Sequence, residues 1–204
     1  MRSVVVGLTG QTGAGKSTIS EYAGSLGCAV VDADKVAGEA LTRGSDCLKR
    51  LAEIFGYDII DSDGFCRRNI LAERAFVSRE NTDLLNSITH PHIIDRCREY
   101  IEELMHMDYD VILFDAPQLF ESGGDELCDS VITVIADRDI RLDRIIKRDN
   151  MNLKDALLRI NAQHDEEYYT KHSDYIIDGG KPVELVREDF RKILYDIKNN
   201  PKGR

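Results

Sequence analysis

Apolar positions along this chain come in two rhythms. Short unbroken runs, rich in β-branched residues, alternate with longer stretches in which apolar residues recur every three or four positions. Val4-Val5-Val6-Gly7-Leu8, ended by Gly10, predicts a strand buried on both faces. Similar runs predict strands at Cys28–Val31, Asp110–Asp115, Val131–Ile135 and Tyr175–Ile177. Helical spacing predicts helices over Ser17–Leu26, closed by Gly27, and over Lys35–Leu41, Cys47–Phe55 and Val183–Ile197. Ala156, Leu157, Leu158 and Ile160 mark a further helix after a charged stretch from Arg138 to Lys154. Residues from about Tyr57 to Asp108 hold helical stripes and no strong strand signal, so they read as a helical insertion between strands. Asn199 to Arg204 read as a polar tail. Strands separated by helices predict an α/β fold: one parallel five-stranded sheet with helices on both faces.

Length and composition narrow the class. The 204 residues suit one domain with an inserted subdomain. Hydrophobic residues at 42% and only 4 prolines exclude wholesale disorder and a collagen-like chain. The 37 acidic residues outnumber the 27 basic ones, for a net charge of −10, which argues against nucleic acid or an anionic membrane as partner. The five cysteines are scattered, form no CxxC pair and are odd in number. They read as reduced thiols, mostly filling the core of a cytoplasmic protein. The first apolar run is too short and too glycine-rich for a signal peptide or a membrane span.

One motif carries chemistry. Gly10-Gln11-Thr12-Gly13-Ala14-Gly15-Lys16-Ser17 matches GxxxxGK[ST], between a buried strand and the start of a helix. Its glycines let successive N–H groups turn inward onto phosphate oxygens, and the helix N-terminus adds its positive end. Lys16 supplies a charge for the β- and γ-phosphates, and Ser17 a hydroxyl for Mg²⁺. No Asn-Lys-x-Asp guanine-reading motif follows a later strand, which argues against a GTPase. In Val31-Asp32-Ala33-Asp34, strand alternation puts both acids on one side of an extended chain, where they suit Mg²⁺ binding or removal of a proton from a hydroxyl. The plainer reading is that Asp34 caps a helix starting at Lys35. Asp115 ends an apolar strand and offers a second metal contact, although strand-ending aspartates are also common turn formers. Arg141, Arg144 and Arg148 share a helix face. They serve either as a solvated face paired with neighbouring aspartates or as an arginine lid over phosphates.

Taken together, these residues resemble the dephospho-CoA kinases over nearly the whole chain. The resemblance rests on Gly7-Leu8-Thr9-Gly10 and Gly13–Thr18, on Val31–Asp34, and on Asp63-Gly64 leading to Arg68 and Leu71. It continues through Phe76, His90-Pro91-His92-Ile93, Pro117 with Leu119-Phe120-Glu121, Arg144, Arg148-Asp149, Arg159–Gln163 and Ser173–Asp178. It implies transfer of the γ-phosphoryl of ATP to the ribose 3′-hydroxyl of dephospho-CoA, the last step of coenzyme A synthesis. It also implies a single kinase domain over residues 1–204, with a CoA-binding helical subdomain at about 57–108 and a lid at about 138–163. Gly13, Ala14, Gly15, Lys16, Ser17, Thr18 and Arg159 are then expected on ATP, and Ser17 on Mg²⁺. Asp34 is the first choice for the base and Asp32 the second; Arg144 and Arg148 reach the phosphates. Thr9, Asp34, Arg68 and His90 face the acceptor, although Pro91 could equally start a helix at its first position. Ala116 and Gln118 depart from the family's usual valine and leucine around Pro117. Another small-molecule kinase of this fold and a regulatory ATPase are the competing readings; a weak homo-oligomer is compatible with the sequence.

Overall fold

The computed structural model describes residues 3–199, so residues 200–204 of the expected polar tail lie outside it. Five strands form one sheet: β1 (Val4–Gly10), β2 (Ala29–Asp32), β3 (Val111–Asp115), β4 (Ser130–Ile135) and β5 (Tyr175–Asp178), in the order β2-β3-β1-β4-β5. β1 pairs in parallel with β3 on one side, Leu8 opposite Asp115, and with β4 on the other, Gly10 opposite Val134. The chain leaves β1 towards one edge and later returns to the opposite one. The carboxyl end of β1 is therefore a switch point, the place where an open α/β sheet leaves a crevice for ligand.

Alternation along the strands builds the two faces. Val6, Leu8, Leu113, Ile132, Val134 and Ile177 pack with residues of α1 (Lys16–Ser25) and α9 (Val183–Asn199), including Ile19, Ala23, Phe190 and Leu194. On the other face a Cβ at Gly7 would meet Cys128 Sγ and Leu119 at 2.8 Å, so only glycine lets that layer close on β1. There Ser173, just after α8 (Glu166–His172), donates to Thr133 Oγ1 at 2.6 Å.

The chain divides into two compact units. The first runs to Val31 and resumes at Ile101; the second spans Asp32–Tyr100. The second has its own apolar core. Cys47, Leu48, Leu51 and Phe55 of α3 (Asp46–Phe55) pack with Leu71 and Ala75 of α4 (Arg68–Ala75) and with Ile88. A short 3₁₀ turn at Tyr57–Ile59 and an isolated bridge between Ile60 and Cys66 connect them.

The start of α2, with the placing of its two acids, and the position of Pro91 differ from expectation, and one helix was not expected. α2 begins at Ala33 and runs to Ala40, because the Asp32 carboxylate accepts from Asp34 N at 3.0 Å and Lys35 N at 3.2 Å. Asp32 is thus the cap and Asp34 lies in the first helical turn, so the two acids do not share a face of an extended chain. Pro91 starts no helix: it sits inside α5 (Arg79–Met105). α8 was missed: its only buried side chain is Tyr169, so it carries no apolar stripe, and its start is fixed by the Asp165 side chain accepting from Tyr168 N. The charged stretch resolves into α6 (Arg138–Asp149) and α7 (Leu153–Asn161), separated by Asn150 at φ 48° and restarted by the Asn152 cap.

Candidate active site

The glycine-rich loop stands where its pattern requires it, between β1 and α1, at the switch point of the sheet. Its conformation needs glycine in a specific way. Gly13 sits at φ 79°, and a Cβ there would come within 2.7 Å of the Arg141 carbonyl oxygen. The loop can therefore lie flat against α6 only without a side chain at that position. The turn after β5 closes in from the other direction: a Cβ on Gly179 would run into the Ala14 carbonyl. Gly15 precedes the first turn of α1, and Ser17 is exposed in that turn.

Lys16 Nζ pairs with the Asp115 carboxylate, which is 7% exposed at the carboxyl end of β3. The register that sets Leu8 opposite Asp115 brings this carboxylate beside the loop. Arg144 reaches the loop from α6. Its Nη1 donates to Gly13 O at 3.2 Å and Ala14 O at 3.1 Å, and its Nη2 to Gly179 O at 2.8 Å. Arg144 thus holds a positive charge against the loop while tying two turns together.

Arg148 and Arg159 converge on one acid. Arg148 grips both oxygens of Asp149, at 2.7 and 2.8 Å, and Arg159 Nη1 adds a bond of 2.7 Å from α7. Hydrogen bonding from Arg148, and then the charges of both arginines, hold the Asp149 carboxyl below the usual carboxylate range. Arg141, first of the arginine stripe, turns inward instead. It is 6% exposed, its Nε donates to Ala136 O at 3.1 Å, and burial lowers its guanidinium pKa. Thr9, at the end of β1, is fully buried and its hydroxyl donates to Pro117 O at 3.2 Å.

The remaining acceptor-side residues belong to the second unit. Asp34 is exposed in the first turn of α2, whereas Asp32 is engaged as its cap and pairs with Lys35 at 3.3 Å. Arg68 begins α4, and its Nη2 lies 3.6 Å from where a Cβ on Gly38 of α2 would stand. Asp34 and Arg68 therefore converge on one helix. His90 is half-buried on α5.

Sequence reasoning did not foresee the contacts that three residues of the first unit make with the loop. Asp115 carried only a weak strand-end signal, and its engagement by Lys16 follows from sheet register. Gln163 accepts from the Thr12 backbone N–H at 2.7 Å, and its one trace in the sequence was its place in Arg159–Gln163. Gly179 gave no signal, because its constraint comes from a loop more than 160 residues earlier in the chain.

Comparison with known proteins agrees with this picture. A family model described as Dephospho-CoA kinase matches residues 4–184. A dephospho-CoA kinase of Corynebacterium diphtheriae is 39% identical over 197 residues, covering 95% of this chain and 98% of its own. A solved dephospho-CoA kinase from Campylobacter jejuni superposes with a TM-score of 0.71 at 28% identity, over 96% of this chain and 97% of its own. A Thermus thermophilus crystal structure reaches a TM-score of 0.79 at 26% identity, over 97% of this chain and 99% of its own. With the fold, the loop and nearly the full length in agreement, the chain belongs to the dephospho-CoA kinase family.

Proposed function

We propose that this chain transfers the γ-phosphoryl group of ATP to the ribose 3′-hydroxyl of dephospho-CoA, giving coenzyme A. The observation that carries the reading is the loop at the switch point of the sheet, in a chain that matches the family over residues 4–184. Gly13 to Thr18 hold the donor phosphates, with Lys16 as the mobile charge on the β- and γ-groups. Lys16 rests against Asp115 and turns from it towards the phosphates as ATP enters. A transferring phosphoryl group passes through a loose transition state, so alignment and charge neutralisation supply most of the catalysis.

Asp34 takes the hydroxyl proton. Its carboxylate is exposed in the first turn of α2, while the Asp32 carboxylate lies at the cap of that helix. Arg68 and His90 hold the acceptor from the same unit. Arg144 keeps its charge at the loop. Arg148 and Arg159 reach the phosphates when Asp149 releases them. The donor set suits Mg²⁺, because one exposed hydroxyl, Ser17, in the first turn of α1 is enough for an ion that keeps most of its shell as water and phosphate oxygens. When bound, the ion neutralises charge on the phosphates.

ADP release measured with and without dephospho-CoA tests the reading. Release that depends on dephospho-CoA is the expected result. Release that depends on a nucleoside or nucleotide instead makes the chain a different small-molecule kinase, and acceptor-independent release makes it an ATPase.

A further inference from the structure

A phosphate loop works by holding backbone N–H groups in a fixed array, so whatever fixes its leading edge sets how well it receives a polyanion. In this chain that edge is held from a distant part of the sequence. Gln163 Oε1 accepts from Thr12 N at 2.7 Å, and Gln11 Nε2 donates to the His164 carbonyl at 3.1 Å. Two consecutive loop residues are thus bonded to two consecutive residues of the turn between α7 and α8. Gln11 is 5% exposed, and its Oε1 has no hydrogen-bond partner among the described residues. The glutamine is fixed in place by its amide nitrogen alone. Gly13, the next residue but one, abuts the Arg141 backbone. Residues 11 to 13 are therefore clasped from both sides.

We propose that Gln163 is a positioning residue for the donor site: by accepting from Thr12 N–H it holds the leading edge of the phosphate loop in its ATP-receiving form. The side chain suits the task. A neutral amide oxygen satisfies the N–H without placing negative charge beside the triphosphate. A carboxylate would satisfy the same N–H but repel the ligand, and an alanine would leave the edge free to move. The bond acts before and during donor binding and touches no reacting atom, so its effect falls on ATP recognition more than on turnover.

The proposal rests on the reading of the loop as the ATP site, and direct ATP binding to the wild-type protein tests that reading separately. Gln163→Ala is expected to raise KM for ATP on the order of tenfold, the scale of one lost neutral hydrogen bond. KM for dephospho-CoA and kcat should stay within about threefold, a split that a general loss of structure would not give. Gln163→Glu keeps an acceptor at the same place. At neutral pH its KM for ATP should be at least as high as that of the alanine variant. An unchanged KM for ATP in Gln163→Ala overturns the proposal. A fall in kcat and a rise in both KM values, together with a lower Tm, overturns it in favour of a structural role. Wild-type behaviour of Gln163→Glu at neutral pH also overturns it. If the wild type binds no ATP, the reading of the loop itself fails.

Discussion

Asp32 and Asp34 stand two positions apart and do different physical work. Asp32 closes the open end of α2, accepting from two backbone N–H groups. An asparagine caps about as well as an aspartate, so Asp32→Asn should leave both Tm and turnover near wild type. Asp32→Ala should cost about 1 kcal/mol of stability, read as a lower denaturation midpoint. If Asp34 is the base as proposed, Asp34→Asn should lose kcat with little change in KM for ATP, because the change removes the proton acceptor and leaves the donor site intact. If Asp32→Asn proves the more damaging in a kcat assay, the base has been assigned to the wrong acid. On the proposed reading, Lys16→Ala removes the mobile charge that meets the phosphates and should lower kcat by on the order of 10²-fold or more. Turnover near normal in that variant would exclude Lys16 from the reaction.

Elements show where sequence carried the fold and where it could not. The central strands β1, β3 and β4 were legible because each is an apolar run buried on both faces, while the edge strands β2 and β5 bury only alternate residues and were legible as short β-branched runs. α2 was misread at its start because a capping carboxylate outweighed the extended tendency of the residues before it. α8 stayed hidden because its start depends on one side-chain bond from Asp165. Pro91 argued for a helix start, and only the surrounding turns of α5 show otherwise. In the candidate site, the loop itself was fully legible. Its supports were not, because Arg144, Gln163 and Gly179 meet it only once the sheet has formed. The turn between β5 and α9 offers a test. Gly179→Ala forces a Cβ onto the Ala14 carbonyl, and a backbone contact cannot yield as a flexible side chain can. The variant should lose about 1–3 kcal/mol by denaturant titration and raise KM for ATP as well. Wild-type affinity would show that the loop tolerates displacement from this side.

Over the whole molecule, charge and thiols behave as two separate systems. The excess of ten negative charges does not describe the loop, where Lys16 and Arg144 gather. The five cysteines are thiols and not disulfides; Cys47, Cys97 and Cys128 are buried, Cys28 and Cys66 half-buried. Burial pushes the thiols of Cys28, Cys47 and Cys66 above their ordinary value and that of Cys97 to about 12. The thiolate is the reactive form, so the native protein at pH 8 should react slowly with Ellman's reagent. All five thiols should become reactive at once in denaturant. Rapid stoichiometric labelling of Cys97 in the native state would contradict its burial.

The clasp around residues 11 to 14 has a further consequence for how the protein is made. The loop lies at residues 10 to 17, yet its partners lie far later in the chain, at residues 144, 163 and 179. Contacts of such long sequence separation form late. A growing chain therefore carries the loop unclasped until the segments through Gly179 have been made, so the loop takes its held form late, after β4 and β5 have joined the sheet.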